Sequence, residues 1–366
     1  MIERRLYAHI DWPLVGAVYL LCAIGVIMIY SASGGPANAS SSHLYLTQLA
    51  AIALGTGALF LCLTIDYRTL ADRAHVIYAG LVLVLIYVLV FGVVRGGGRR
   101  WIALPWFNLQ PSEFMKLGLA LVLARLFGDS HNPVPSSRDL AVAGVITAIP
   151  LLLVARQPDL GTAITMAAVL LGLAIVAGMR LKIAGILLAV AVVSAPFVWH
   201  FALKDYQKER ILTFLDPSRD PLGAGYQQIQ ARITVGSGGL LGRGFRKGTQ
   251  GQLSFLPVAH NDFIFSVLAE EQGFLGALVV LGLYLFVVLR SIGTARLARD
   301  RLGTLLVMGV LASFVFQVFY NVSMSAGFAP VKGLTLPLMS YGGSSVIATL
   351  AGIGLILNVR MRRFSN

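Results

Sequence analysis

The stretch Gly248–Gly276, GTQGQLSFLPVAHNDFIFSVLAEEQGFLG, joins a polar, glycine-rich loop to the start of a long apolar segment. The loop ends at Pro257. The apolar segment begins at Asp262 and is long enough to cross a bilayer as a helix. A carboxylate at the boundary between water and hydrocarbon is partly desolvated, which raises its pKa toward the value that suits a general base near neutral pH. Asp262 could equally cap the helix, since Asp is a favoured N-cap residue.

The whole chain has the composition of a membrane protein. Of its 366 residues, 57% are hydrophobic and only 12% are charged, against roughly 25% charged in average globular proteins. The mean hydropathy is +0.79. Cys22 and Cys62 lie inside apolar runs, which favours small core residues over a disulfide framework. The six histidines show no ligand spacing, so no metal site is predicted. No nucleic-acid partner is expected.

We predict an all-α polytopic fold of about ten transmembrane helices, forming a single integral membrane domain over residues 1–366. The expected spans cover residues 12–31, 45–65, 75–94, 111–128, 139–155, 160–179, 182–203, 262–289, 303–324 and 334–358. If the N-terminus is cytoplasmic, the inner segments carry 15 Lys and Arg residues and the short outer loops carry 5. This bias predicts that both termini are cytoplasmic. One long extracytoplasmic loop, about residues 204–261, then separates spans seven and eight.

The outer segments nevertheless hold more positive charge than orientation explains. The long loop carries eight Lys and Arg residues, among them Arg210, and the loop before span four carries Arg100 beside Trp101. Such cations indicate an anionic ligand on the outer face, most simply phosphate groups at the membrane surface. Attraction to anionic lipid head groups would require no specific site.

Two further patterns lie in the long loop. Tyr226, Ile229, Gln230 and Ile233 fall at helical spacing, which predicts a short amphipathic helix in the membrane interface. The glycine-rich run 236–244, GSGGLLGRG, matches a dinucleotide-binding fingerprint poorly because no strand precedes it. We expect it to be a flexible loop whose backbone approaches a ligand.

Charged side chains inside spans cost about 2.5–3.5 kcal/mol each on insertion scales. Span four begins with QPSEFMK (Gln110–Lys116), in which Glu113 and Lys116 share one helix face. The two could neutralise each other, or they could line a polar cavity near the outer surface with Lys116 available to a phosphate. Glu270 and Glu271 of span eight lie on different sides of their helix, which we interpret as a structural role.

Span ten contains the polar run SYGGSS (Ser340–Ser345), with Lys332 just outside it. Small residues of this kind usually pack helices tightly against each other, and the residues alone favour that interpretation. The run could also be an unwound segment that lines a wet cavity.

Three stretches together resemble the SEDS family of bacterial cell-wall and division proteins. They are RRW with QPSEFMK (Arg99–Lys116), the stretch Leu215–Gly276, and NVSMSAGFAPVKGLTLPLMSYGGSS (Asn321–Ser345). The short termini and KGTQGQLSFLP (Lys247–Pro257) are more similar to the elongation member of the family than to its division member. Val258, Asn261 and Phe328 depart from the usual family pattern.

The resemblance implies a multi-pass peptidoglycan glycosyltransferase of the bacterial cytoplasmic (inner) membrane that polymerises lipid II into a growing glycan chain. It implies a role in cell elongation and shape, with membrane lipid, a class B penicillin-binding protein transpeptidase and other elongation-complex proteins as partners. It carries Asp262 over as the essential acidic residue and puts Trp101, Glu113 and Lys116 in the same outer cavity. No cofactor is certain, although phosphate chemistry makes a divalent cation possible.

Our hypothesis is inverting glycosyl transfer on the outer face, in which Asp262 takes the proton of the acceptor's GlcNAc 4-hydroxyl. Lys116, Arg210 and Lys332 are the leading cations for the pyrophosphate. The candidate substrate-binding residues are Arg100, Trp101, Gln110, Ser112, Glu113, Lys116, Arg210, Lys332 and Ser340.

The alternative function is a transporter (flippase) for a lipid-linked precursor, which intramembrane charges and glycine-interrupted helices would suit. Against it, the basic residues crowd one face and no inverted repeat of broken helices is visible. A non-catalytic scaffold would explain neither the buried charges nor Asp262.

Overall fold

The computed structural model describes residues 9–33, 43–95, 98–104, 108–130, 134–201, 205–220, 223–248, 256 and 259–364. The predictions that concern Arg4, Arg5, Lys204, Val258 and most of Lys247–Pro257 therefore lie outside the described residues.

The described chain consists of α-helices with one small antiparallel sheet. The helices are α1 (Trp12–Ala32), α2 (Leu44–Thr64), α3 (Tyr67–Asp72), α4 (Ala74–Phe91), α5 (Pro111–Gly128), α6 (Ser137–Arg156), α7 (Leu160–Val176), α8 (Leu181–Phe201), α9 (Asp205–Leu215), α10 (Ala224–Ser237), α11 (Ile264–Arg296), α12 (Arg301–Ser325) and α13 (Gly343–Met361). Strands β1 (Val93–Arg95), β2 (Gly98–Ala103) and β3 (Asn108–Leu109) pair in the order β1-β2-β3. The sequence analysis did not predict this sheet, which carries the RRW motif on β2.

Each of the ten predicted spans contains one helix, although the tenth is helical only in its second part, and the all-α polytopic membrane class is confirmed. Within the described residues, seven of these helices are long and apolar enough to cross a membrane by length and composition alone. Of the other three, α7 has only 17 residues and α5 carries the charged Glu113 and Lys116. The number of crossings and the cytoplasmic position of the termini remain predictions.

Helix α13 forms the centre of the bundle, because almost all of its side chains are buried. It packs along α2, while α12 packs against α5, α7 and α11. Near the end of α13 the fully buried Asn358 donates hydrogen bonds of 2.7 Å to the carbonyls of Cys62 and Ile65. Its Oδ1 accepts a bond from the backbone N–H of Tyr67. These bonds satisfy carbonyl groups that the end of α2 cannot pair within its own helix.

The C-terminal parts of α11 and α13 are tied to the start of α1 by one buried carboxylate. Asp11 accepts a hydrogen bond from Leu14 N as the N-cap of α1. The same carboxylate pairs with Arg290 of α11 and, at 3.0 Å, with Arg360 of α13. The starts of α11 and α13 are consequently held in a fixed relation at the far end of the bundle, where the candidate site lies.

The tight-packing interpretation of the SYGGSS run is wrong, because the predicted tenth span is helical only from Gly343 onward. Its unwound part keeps its polar groups paired. Ser340 Oγ accepts a bond from Leu336 N at 2.8 Å, and Gln48 donates to the carbonyl of Ser340 at 3.1 Å. Non-helical backbone is tolerated at membrane depth when neighbouring helices satisfy it in this way.

The glycine-rich run approaches a helix, contrary to the expectation that it approaches a ligand. Helix α11 contains a non-helical residue at Gly273, with φ 68°. The run pairs with the backbone around this kink, since Arg243 N donates to the Glu270 carbonyl and Phe274 N donates to the Gly239 carbonyl. The approach requires glycine, because a Cβ at Gly242 would lie 2.2 Å from the Glu271 carbonyl oxygen. The predicted amphipathic helix before the run is present as α10.

Candidate active site

Four helices begin around one cavity of about 110 Å³. Gln110 and Asp159, the N-caps of α5 and α7, line it, together with Asp262 just before α11 and Ser344 in the first turn of α13. The first N–H groups of a helix have no partner within the helix, so each N-terminus carries partial positive charge. The convergence of four such ends favours negatively charged groups in this cavity.

Asp262 lies in the turn that precedes α11 and does not cap the helix. The N-cap of α11 is Phe263, and no side chain makes a capping hydrogen bond there. The capping interpretation of Asp262 is therefore wrong. Asn321 holds the turn by donating to the Asp262 carbonyl at 2.9 Å. Gly333 lies close by, since a Cβ at that position would be 3.5 Å from Asp262 Oδ2.

Burial raises the pKa of Asp262 to about 6, from an ordinary value of 3.8. The positive charges of Arg210 and Arg100 oppose this rise, and the negative charge of Asp159 adds to it. The raised pKa agrees with the expectation from the position of Asp262 between loop and hydrocarbon. A carboxylate with this pKa is mostly ionised at pH 7 and yet basic enough to accept a proton during a reaction.

Asp159 is a site residue that the sequence analysis missed. It caps α7 by accepting bonds from Thr162 N at 3.3 Å and Thr162 Oγ1 at 3.0 Å, and it accepts a third from Gln110 Nε2 at 2.9 Å. Burial raises its pKa above the ordinary value. Its signal in the sequence is the same as that of Asp262, namely an aspartate directly before an apolar run.

Arg100 and Trp101 of β2 both line the cavity. The Arg100 guanidinium is engaged with backbone, donating from Nε to the Gln157 carbonyl at 2.8 Å and from Nη2 to the Pro158 carbonyl. It thereby fastens the sheet to the turn between α6 and α7. The Trp101 ring is half-buried at the cavity wall.

Glu113 and Lys116 form a buried ion pair, with 2.8 Å between Lys116 Nζ and Glu113 Oε2. Glu113 also lines the outer cavity. Lys116 is not among the residues that line the outer cavity; with Glu113 and Gln317 it lines a second, inner cavity of about 20 Å³. Both interpretations of the pair are therefore partly met: the charges neutralise each other, and one of the two side chains reaches the outer cavity.

Arg210 and Lys332 lie on the side of Asp262 formed by α9 and the segment before α13. Arg210 is exposed on α9, and its charge acts on both Asp262 and Lys332. Burial, and then the nearby Arg210, lower the pKa of Lys332. The structure thus places Arg210 near the candidate base, and Lys332 near Arg210 and directly before the cavity-lining Gly333.

Five of the predicted substrate-binding residues are not among those that line the outer cavity, namely Ser112, Lys116, Arg210, Lys332 and Ser340. Ser112 is buried on α5 and its Oγ has no partner in the described part of the chain. Ser340 is occupied with the loop bonds given above. Asn261, one of the departures from the family pattern, does line the cavity. No group of three or more His, Cys, Asp or Glu side chains that could hold a metal ion occurs among the described residues.

Comparisons with known proteins cover almost the whole chain. A family model of cell cycle proteins, FtsW, RodA and SpoVE, matches residues 12–364. The peptidoglycan glycosyltransferase MrdB of Escherichia coli K12 is 36% identical over 355 residues, which are 97% of this chain and 94% of MrdB. A relative named as a probable peptidoglycan glycosyltransferase FtsW, from Geobacter metallireducens, reaches 38% identity over 95% of this chain and 94% of its own length.

Solved structures give the same result. The rod shape determining protein RodA of Thermus thermophilus has a TM-score of 0.72 and 32% identity, with 98% of each chain covered. A chain from a peptidoglycan synthase complex, solved to examine how polymerization and crosslinking are coordinated, has a TM-score of 0.83 and 36% identity. That match covers 98% of this chain and 99% of the other.

Proposed function

Because the chain belongs to the FtsW, RodA and SpoVE family, which is the SEDS family, we propose that it polymerises lipid II with Asp262 as the general base. Membership confirms the resemblance read from the three sequence motifs. Peptidoglycan glycosyltransferase, the activity for which the relatives are named, is accordingly the activity of this chain. The observation that carries the assignment of Asp262 is its carboxylate, with a pKa of about 6, in a cavity that Arg100 also lines and where the charge of Arg210 acts on it.

The proposed reaction is a single displacement. The 4-hydroxyl oxygen of the acceptor sugar forms a bond to the anomeric carbon of the lipid-linked chain. The bond from that carbon to the phosphate oxygen breaks, and its electron pair leaves with the undecaprenyl diphosphate. Asp262 takes the hydroxyl proton and later returns it to solvent. One base opposite the leaving group suits inversion at the anomeric carbon.

The diphosphate gains negative charge as it leaves, and nearby cations stabilise that charge. We assign this role first to Arg210, whose charge acts on Asp262, and to Lys332, which precedes the cavity-lining Gly333 and on which the charge of Arg210 also acts. Neither is engaged by a carboxylate in the described residues. Lys116 could serve only after exchanging its bond to Glu113. Arg100 contributes its charge while its donors remain on backbone carbonyls, and Trp101 offers an aromatic face to a sugar or to the lipid chain.

The same proposal includes the outer face of the bacterial cytoplasmic membrane as the place of reaction, since the Lys and Arg bias puts the long loop there. A class B penicillin-binding protein is the proposed partner. In support, a similar chain occurs in a peptidoglycan synthase complex that joins polymerization to crosslinking. Identity does not separate MrdB from FtsW relatives. The elongation role therefore rests on the similarity of Lys247–Pro257 to the elongation member.

The test is polymerisation of purified lipid II by the Asp262→Asn variant, with and without the cognate transpeptidase. We expect no glycan product, while folding and partner binding are retained. The matched control is Asp72→Asn, because Asp72 is an exposed aspartate at the other end of the bundle whose only described ion pair is with Arg125. Full polymerisation by Asp262→Asn would refute the assignment.

The transporter alternative receives no support from the described bundle interior. The cavity beside Lys116, of about 20 Å³, is large enough for water and far too small for a disaccharide diphosphate, and the pocket of about 350 Å³ between α11 and α12 is lined almost entirely by apolar side chains, which do not suit a diphosphate. Reconstituted vesicles separate the two functions. A flippase equilibrates labelled lipid across the bilayer without making polymer, whereas the polymerase makes glycan from lipid II already on the outer side.

A further inference from the structure

A second carboxylate faces the same cavity as Asp262 and has no place in the reaction described so far. Asp159 is only 4% exposed and lines the cavity with Asp262, although it belongs to the turn between α6 and α7. The two acidic groups come from elements far apart in the chain. They are brought together only by the convergence of helix N-termini.

All of the described hydrogen-bond donors to Asp159 are uncharged. They are the backbone N–H and hydroxyl of Thr162 and the side-chain amide of Gln110. Arg100, whose charge acts on Asp159, spends its Nε and Nη2 donors on the carbonyls of Gln157 and Pro158. A buried carboxylate without an ion pair is costly, and Ser, Thr or Asn would cap α7 equally well without the charge. Capping alone therefore does not account for an aspartate at this position.

Apart from Asp159, the charged or titratable groups around Asp262 do not supply an unneutralised negative charge. These groups are Arg100 on β2, Glu113 and Lys116 on α5, Arg210 on α9, Lys332 and Tyr341 in the segment before α13, and His260 beside Asp262 itself. Glu113 is neutralised by Lys116. Arg100, Arg210 and Lys332 are cations, and the charges of Arg100 and Arg210 act on Asp262 in the opposite sense. Among the described residues, Asp159 is thus the carboxylate without an ion pair that shares the cavity with Asp262.

We propose that Asp159 is a positioning residue whose negative charge, held by Gln110 and Thr162, makes Asp262 a stronger proton acceptor during glycosyl transfer. Two carboxylates in one cavity titrate as a coupled pair, so the charge on one sets the pH at which the other can act. The direction agrees with the environment of Asp262, whose pKa is raised by burial and further by Asp159. This inference rests on the proposed role of Asp262 and adds a second residue to the same site.

The test is the pH dependence of lipid II polymerisation by the full chain. Asp159→Asn retains an N-cap and the side-chain shape and removes the charge. We expect the acid limb of its pH–rate profile to move to lower pH by roughly 0.5–1 pH unit. Its maximal polymerisation rate should fall several-fold, because Asp262 becomes a weaker base. Arg210→Gln removes a positive charge and should move the acid limb to higher pH. A merely structural defect would lower the rate without moving the acid limb in opposite directions.

If Asp159→Asn does not fold, the same pH profile is measured on Asp159→Ser, in which the serine hydroxyl can still cap α7. An acid limb that stays at the wild-type pH in a folded, active Asp159 variant would overturn the proposal. So would complete loss of activity in a folded Asp159→Asn protein, since Asp159 would then act on the substrate directly. Activity in Asp262→Asn would instead refute the proposed function, so the two failures are distinguishable.

Discussion

Replacing the catalytic carboxylate should make the protein more stable. The pKa of Asp262 is about 6 in the folded protein, against an ordinary value of 3.8. The folded state therefore favours the protonated carboxyl, and the ionised form costs stability at neutral pH. A difference of about two pKa units corresponds to about 3 kcal/mol at most. Since the side chain is only half-buried, solvent screening reduces this figure, and we expect Asp262→Asn to raise the free energy of unfolding by about 1–3 kcal/mol at pH 7.5.

The pH dependence has a definite sign. For an acid whose pKa is raised on folding, the cost is fully present above pH 6 and disappears as the pH falls through 6 toward 3.8. As the pH falls over this range, the free energy of unfolding of the wild type should therefore rise relative to that of Asp262→Asn. The assay is thermal denaturation of both proteins in the same detergent from pH 4.5 to pH 8. An Asn variant that is less stable at pH 7.5, or a stability difference that does not change with pH, would refute the reasoning.

Three further predictions concern activity and packing. The polymerisation rate should fall about tenfold between pH 7 and pH 5, as the ionised fraction of Asp262 drops from about 90% to about 10%. Initial rates on lipid II measure this, and a rate that does not change over this pH range would contradict it. Asp11→Ala should lower the free energy of unfolding by about 3 kcal/mol, because it leaves two arginines without their shared buried carboxylate. The exposed-pair control Asp72→Ala should cost under about 1 kcal/mol, and equal losses in denaturation would be evidence against that account. Gly242→Ala puts a methyl 2.2 Å from the Glu271 carbonyl oxygen at a φ of 79° and should cost about 2 kcal/mol or more. It should therefore speed proteolysis before α11, whereas unchanged cleavage would be evidence that the contact between Gly242 and α11 does not stabilise this region.

The elements that could be predicted are those governed by local composition. All ten apolar runs became helices, because a segment in lipid must satisfy its backbone within itself. The position of Asp262 at the end of a polar loop also predicted its raised pKa, since partial desolvation follows from that boundary. The outer cations Arg210 and Lys332 were found from their charge alone, and the fold brings Arg210 within electrostatic reach of both Asp262 and Lys332.

Other site features depend on partners far away in the sequence. Whether SYGGSS continues a helix depends on Gln48 and Tyr284, which pair with the unwound backbone from other helices. The preference of Lys116 for Glu113 over the outer cavity depends on which side of α5 faces that cavity. Propensity and hydropathy describe single segments, so they carry no information on these contacts.

The sequence by itself determined that this chain is a multi-helix membrane protein with an acidic residue and several cations near one membrane face. These properties follow from transfer free energies, which are summed residue by residue along each segment. Only the tertiary structure decided that four helix N-termini meet at one cavity and that Asp159 faces Asp262 inside it. Electrostatic energies depend on distance and burial in three dimensions, and both quantities exist only after the helices have packed.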